Sequence, residues 1–190
     1  MDTLLPVLRP ATWPERDRCW ARPLLPLPGS PLVTLIQQVE PLLVTLNPER
    51  LALLGLTPAE AEARALTNLA LLPARWRTLQ SPTPRGGWLE LQVLQTPLAA
   101  SRILDPGVLT HLGHQVIGAD ALAVALPRQD LLLATPAAWA LDGDFGAVVR
   151  SLHGEAPAPL STWVFLLQEG VLSGVLAESG RPAAATTTET

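Results

Sequence analysis

The sequence predicts an α+β domain, a mostly antiparallel sheet covered on one face by helices. Three observations carry that expectation. Short apolar runs with β-branched residues are joined in places by tight turns and elsewhere separated by helical segments. Two of those helical segments open with complete capping chemistry, at Asn47-Pro48-Glu49 and Thr57-Pro58-Ala59-Glu60. Finally, 190 residues with 48% hydrophobic and only 16% charged content suit one substantial core. The expected organisation is a proline-rich segment over 1–29, a single α+β domain over 30–178, and a disordered Ala/Thr tail over 179–190.

In chain order, Thr12-Trp13-Pro14-Glu15 can open a short helix, with Thr12 as cap and Pro23 ending it. Residues 31–37 (PLVTLIQ) and 42–46 (LLVTL) read as strands joined by a turn near Glu40-Pro41. A short helix follows Asn47 and stops at Gly55. The next spans 58–72, with Ala59, Ala63, Leu66, Leu69 and Ala70 as its apolar positions. Residues 78–87 read as a connection, and Trp88–Leu94 as an alternating strand. A turn or short helix covers 97–104, and Asp105-Pro106 begins a helix reaching about Val116, before Gly118. Leu122–Leu126 and Leu131–Thr135 are strands around the polar knot Pro127-Arg128-Gln129-Asp130, whose form suits a type I turn. Residues 142–153 read as a helix, and Thr162–Leu167 with Val171–Val175 as a hairpin across Gln168-Glu169-Gly170.

Composition narrows the function classes. No run of about 18 apolar residues exists, so no spanning helix is expected, and Met1-Asp2 is followed by neither a basic segment nor an apolar leader. Cys19 is the only cysteine, which excludes an internal disulfide and points, with the missing leader, to a cytoplasmic location. A net charge of -4 argues against nucleic acid as a partner, because phosphate binding needs a basic surface to release counterions. All thirteen basic residues are arginine, which reads as compositional bias rather than phosphate chemistry.

Few residues offer chemistry. Arg128 and Asp130 at the knot, together with Arg102, are the candidate ligand- or partner-binding residues, because a guanidinium can clamp a carboxylate with two parallel hydrogen bonds. Each has a plainer role as well: Arg128 as a clamp at a sheet end, Arg102 as a partner for Asp105 or Asp130. His111 and His114 lie on one turn loosened by Gly113, with no nearby Cys or Glu to complete a metal site. Asp142-Gly143-Asp144 lacks the ligand series of a calcium loop and suits a helix N-terminus. The six tryptophans read as core and edge fillers. No nucleophile elbow, catalytic residue, metal site or cofactor fingerprint is found.

The stretches "GLTPAEAEARALTNLAL", "AASRILDPGVLTHLG" and "LAVALPRQDLLLATP", followed by the hairpin "LSTWVFLLQEGVL", resemble the YtpQ-like family of bacterial proteins, defined by a domain of unknown function. The likeness covers about two thirds of the chain. It implies the order of elements from Gly55 onward but no activity, substrate or cofactor. Where the family pattern sets arginine beside aspartate, this chain inserts Gln129 between Arg128 and Asp130. The leading expectation is a non-enzymatic module that binds another protein, or itself, through a sheet edge or an apolar groove beside the Arg128 hairpin. The rivals are a small-pocket enzyme or ligand-binding protein using Arg128, Asp130 and a histidine, and a nucleic-acid binder using tryptophans and arginines.

Overall fold

A computed structural model describes residues 3–39 and 41–176. The chain has the α+β class, with antiparallel strands throughout, arranged in two sheets. The smaller sheet contains β1 (Thr3–Arg9), β2 (Ala21–Pro23), β3 (Leu32–Val39) and β4 (Leu42–Thr45). In it β3 is flanked by β1 on one side, and by β2 and β4 in tandem on the other. Next come helices α1 (Pro48–Leu53) and α2 (Pro58–Leu71).

The proline-rich start is therefore part of the folded body. β1 buries Leu4, Leu5, Val7 and Leu8, and its Pro6 needs no ladder donor because β1 is an edge strand. The short helix expected after Thr12 does not form; residues 11–19 make turns around the buried Trp13. The backbone closes single i to i+3 turns instead, Trp13 N donating to Pro10 O, Arg16 N to Trp13 O and Arg18 N to Glu15 O, with Trp13 turned into the body.

Both capping predictions hold in detail. The Asn47 side chain accepts from Arg50 N, and Thr57 with Glu60 forms the reciprocal capping box. The buried stripe of α2 differs from expectation: it is Ala61, Ala65 and Leu69, whereas Ala59, Ala63 and Ala70 are exposed. Small residues on that stripe let the helix settle close to β1 and β3. The neighbouring polar groups complete the contact, Asn68 Nδ2 donating to Leu4 O at 2.9 Å and Arg22 Nε to Glu62 Oε1 at 2.8 Å.

The larger sheet has six strands: β5 (Arg77–Pro82), β6 (Trp88–Gln95), β7 (Ala121–Arg128), β8 (Leu131–Pro136), β9 (Val164–Gln168) and β10 (Val171–Leu176). Their spatial order is β10-β9-β7-β8-β6-β5. β5 occupies a stretch read from sequence as a connection; its residues are mostly exposed, so no hydrophobic alternation marks it. Between the strands lie α3 (Pro106–His111), α4 (Ala137–Ala140) and α5 (Asp144–Gly154). The helix expected to continue to Val116 changes at Leu112 into a π turn that closes on the left-handed Gly118.

Both faces of the larger sheet are covered. One face presents Leu94, Leu122, Val124, Leu126, Leu132, Ala134, Phe165 and Leu167 to the 3-10 turn Ala100–Leu104, α3, the π turn and Leu8 and Val33 of the smaller sheet. The alternate residues, Leu91, Val93, Ala123, Ala125, Leu131 and Leu133, meet Ala140 of α4 and Phe145, Val148 and Val149 of α5. This is the period-2 alternation of strands buried on both sides. A six-stranded sheet is about 24 Å wide, whereas a helix with its side chains is about 10 to 12 Å across. Helix α5 is thus a ridge that covers the middle strands and leaves the margins of its face open.

Candidate functional site

The polar knot takes a form that sequence alone does not specify. Pro127 is not the first corner of a turn. It lies within β7 at a register shift between Ala125 and Arg128, where the absence of an N–H costs nothing. The turn proper is the pair Gln129-Asp130, between Arg128 and Leu131, which face each other across the hairpin. Other segments use its carbonyls: Thr96 N donates to Asp130 O at 3.2 Å, Ala100 N to Gln129 O at 3.0 Å, and Leu160 N to Pro127 O at 2.9 Å. The tip is held on both sides.

Gln129 and its neighbours sort by face, as strand alternation requires. Gln129 turns toward the smaller sheet and its Nε2 donates to Leu8 O at 2.7 Å. Arg128 and Asp130, two positions apart, stay together, with Nε 2.8 Å from Asp130 Oδ1. That contact is an ion pair rather than an aligned hydrogen bond, because the buried Arg128 Nε has no acceptor along its N–H direction. Among the described residues the guanidinium donates no aligned hydrogen bond, so its fork remains available.

Arg102 is not part of this site. Only 2% exposed, it donates to Leu69 O at 2.8 Å, to Leu72 O and to Asp105 Oδ2 at 2.9 Å. Asp105 in turn caps α3, accepting from Val108 N at 3.2 Å. The pair joins the carbonyl end of α2 to the start of α3. Of the two partners expected for Arg102, the structure selects Asp105, and the arginine is a buried brace with no surface to offer a ligand.

Beside Arg128 runs a groove of about 650 Å³ between β5, β6 and β8 on one side and α5 on the other. Leu91, Val93, Leu131 and Leu133 lie at its base, and Val148 and Leu152 form the helix wall. Leu79 pairs with Leu91 across β5 and β6 and so points to the same face, but it lies beyond the reach of α5 and is 52% exposed. Among the described residues Arg128 is the only charged one lining the groove. At the other end, Arg85 of the β5–β6 loop is 3.7 Å from Asp144 in the first turn of α5. Among the described residues β5 pairs with β6 alone and forms an edge of the sheet.

The histidines lie elsewhere. His111 and His114 are exposed on α3 and the π turn, over the opposite face of the sheet, with His114 Nδ1 3.7 Å from Asp120 Oδ1. They do not converge with Arg128 and Asp130. Among the described residues no three His, Cys, Asp or Glu side chains are grouped to hold a metal ion, and no helix is long and apolar enough to cross a membrane.

A second cavity, of about 700 Å³, lies on the side of the knot to which Gln129 points, lined by Arg9, Trp13, His153, Ser161 and Trp163 among others. Sequence reasoning read the tryptophans as core and edge fillers and did not place these residues together. The tryptophans carried the available signal, but nothing local announces that Trp13 and Trp163, 150 positions apart, share a cavity.

No protein-family model, curated protein or solved structure matches the chain. The likeness to YtpQ-like proteins accordingly rests on the quoted motifs alone.

Proposed function

We propose that the chain is a cytoplasmic protein-interaction module that receives an extended apolar segment of a partner protein along the β5 edge. The observation that carries this reading is Leu79. It is a strand residue facing the helix side of the sheet, yet half exposed at the margin of an apolar groove. A segment added beside β5 would pair its backbone with the free edge, and every second side chain would fall toward Leu79 and the α5 wall. Arg128, already paired with Asp130, leaves its terminal nitrogens to donate to a carbonyl or other neutral acceptor near one end of that segment. The enzyme reading has less support, because the arginine and aspartate neutralise each other and the histidines lie across the sheet.

The test is selection of displayed peptides on the immobilised protein, followed by amide hydrogen exchange of the complex. A consensus of alternating apolar residues is expected, with slowed exchange over residues 77–82. Leu79→Asp should weaken the selected peptide by about tenfold or more, as burial of one leucine contributes about 1.5 to 3 kcal/mol. Leu43→Asp, on exposed β4 of the other sheet, should leave binding unchanged. Selection without a consensus, or protection confined to other strands, refutes the proposal.

A further inference from the structure

We infer that the cavity walled by Trp13 and Trp163 is a binding site for a single carboxylate carried on an apolar body. Four chain segments that are distant in sequence build it: the end of β1 with the turn after it, Gly29 in the loop before β3, the β7–β8 turn, and residues 153–163. Its electrostatics are one-sided. Arg9 and His153 line it, and among the described residues no aspartate or glutamate does.

Arg9 is the decisive residue. Its Nε is buried and has no hydrogen-bond acceptor, and among the described residues Arg9 forms no ion pair. Its guanidinium carbon lies 5.3 Å from the centre of the Trp13 ring, which holds the fork in one orientation. A permanent cation that lines the cavity without an ion-pair partner favours an occupant bringing a negative charge, which would meet the accessible part of the guanidinium rather than its enclosed Nε. Glu15 lies close enough to raise the pKa of the Cys19 thiol, on which burial acts most strongly and Arg9 acts in the opposite sense, but Glu15 neither pairs with Arg9 nor lines the cavity.

The remaining walls define the ligand. Ser161 is buried, and its Oγ accepts from Trp163 N at 3.1 Å, which leaves the hydroxyl hydrogen free to donate. The indoles of Trp13 and Trp163 present apolar surface to whatever carries the charge. Arg9 is the one permanent cation among the described lining residues and balances one charge, which favours a carboxylate over a doubly charged phosphate. The same chemistry occurs in a free organic acid and at the C-terminus of a peptide.

The test uses the full chain and tryptophan fluorescence, with binding confirmed by calorimetry. Four probes are titrated: N-acetyl-phenylalanine, its amide, and the tripeptide Ala-Ala-Phe with a free or an amidated C-terminus. Saturable binding of the acids is expected, with the amides and the Arg9→Met variant weaker by about tenfold to a hundredfold, the worth of a charge-assisted hydrogen bond. The exposed Arg75→Met should match the parent protein. Tighter binding of the tripeptide would identify a peptide terminus as the source, and tighter binding of N-acetyl-phenylalanine a small acid; either supports the site. Trp163→Leu provides a second variant should Arg9→Met unfold, and must weaken the acids as well. Equal binding of acid and amide, or no saturable response at millimolar concentration, overturns the inference.

Discussion

Replacing Arg102 with methionine should be among the most damaging single substitutions in this protein. The change keeps an unbranched apolar side chain of similar reach but removes every donor. Asp105 is then left as a carboxylate only 8% exposed without its cation, and Leu69 O and Leu72 O at the end of α2 lose their partner. Breaking a buried ion pair from one side costs about 3 to 5 kcal/mol. The lost carbonyl contacts set the expectation toward the upper part of that range. For a chain of this size each kcal/mol shifts the thermal midpoint by about 2 to 4 °C, so a fall of about 8 to 20 °C is expected.

Urea unfolding followed by tryptophan fluorescence measures the loss directly. A double-mutant cycle then isolates the pair: Asp105→Asn retains an oxygen to cap α3, and combining it with Arg102→Met should cost less than the sum of the two single changes. A loss below about 1 kcal/mol for Arg102→Met, or strict additivity in the cycle, would refute the view of this pair as the joint between α2 and α3.

Two further outcomes follow from local geometry. Gly170 has φ near +78° in the β9–β10 turn, and a Cβ there would stand 2.2 Å from Thr110 Oγ1 and 3.0 Å from Pro106 O. Gly170→Ala should therefore destabilise by about 1 to 3 kcal/mol, and adding Thr110→Ala should recover part of the loss in the same urea assay. The Thr57 backbone and then side-chain hydrogen bonds hold the Glu60 carboxyl below the usual glutamate range. Its contribution to α2 is accordingly present above the unfolded pKa and fades as pH falls through the lowered folded value. Titration of the Glu60 side chain by NMR should show this depression, and Thr57→Val should move the value part of the way back up; an unchanged titration would contradict the capping box.

The local elements were legible where their chemistry is local. Asn47 and Thr57 fix helix starts through bonds to residues three positions away, so a short window of sequence contains the whole cause. The β9–β10 hairpin is likewise specified by its turn: Glu169 and Gly170 both adopt positive φ, a conformation glycine takes without strain. Strand β5 was not legible, because an exposed edge needs no hydrophobic pattern and is stabilised by pairing with β6. The apolar face of α2 was misplaced for a related reason. Alanines occupy both its faces, and only the docked surface of β1 and β3 selects Ala61 and Ala65 over Ala59 and Ala63.

The sequence by itself determined the α+β class, the capped helices and the pairing of β7 with β8, since each follows from side-chain period and short-range hydrogen bonding. Tertiary structure decided which charges act as braces and which remain available. Arg102 and Arg128 are indistinguishable as residue types, yet one is enclosed between two helices and the other stands at the rim of a groove. Arg9 and Trp163, far apart in the chain, line one cavity only because the fold brings them together. The physical reason is range: desolvation and cavity shape depend on atoms that meet through the fold, and no local pattern along the chain encodes where they meet.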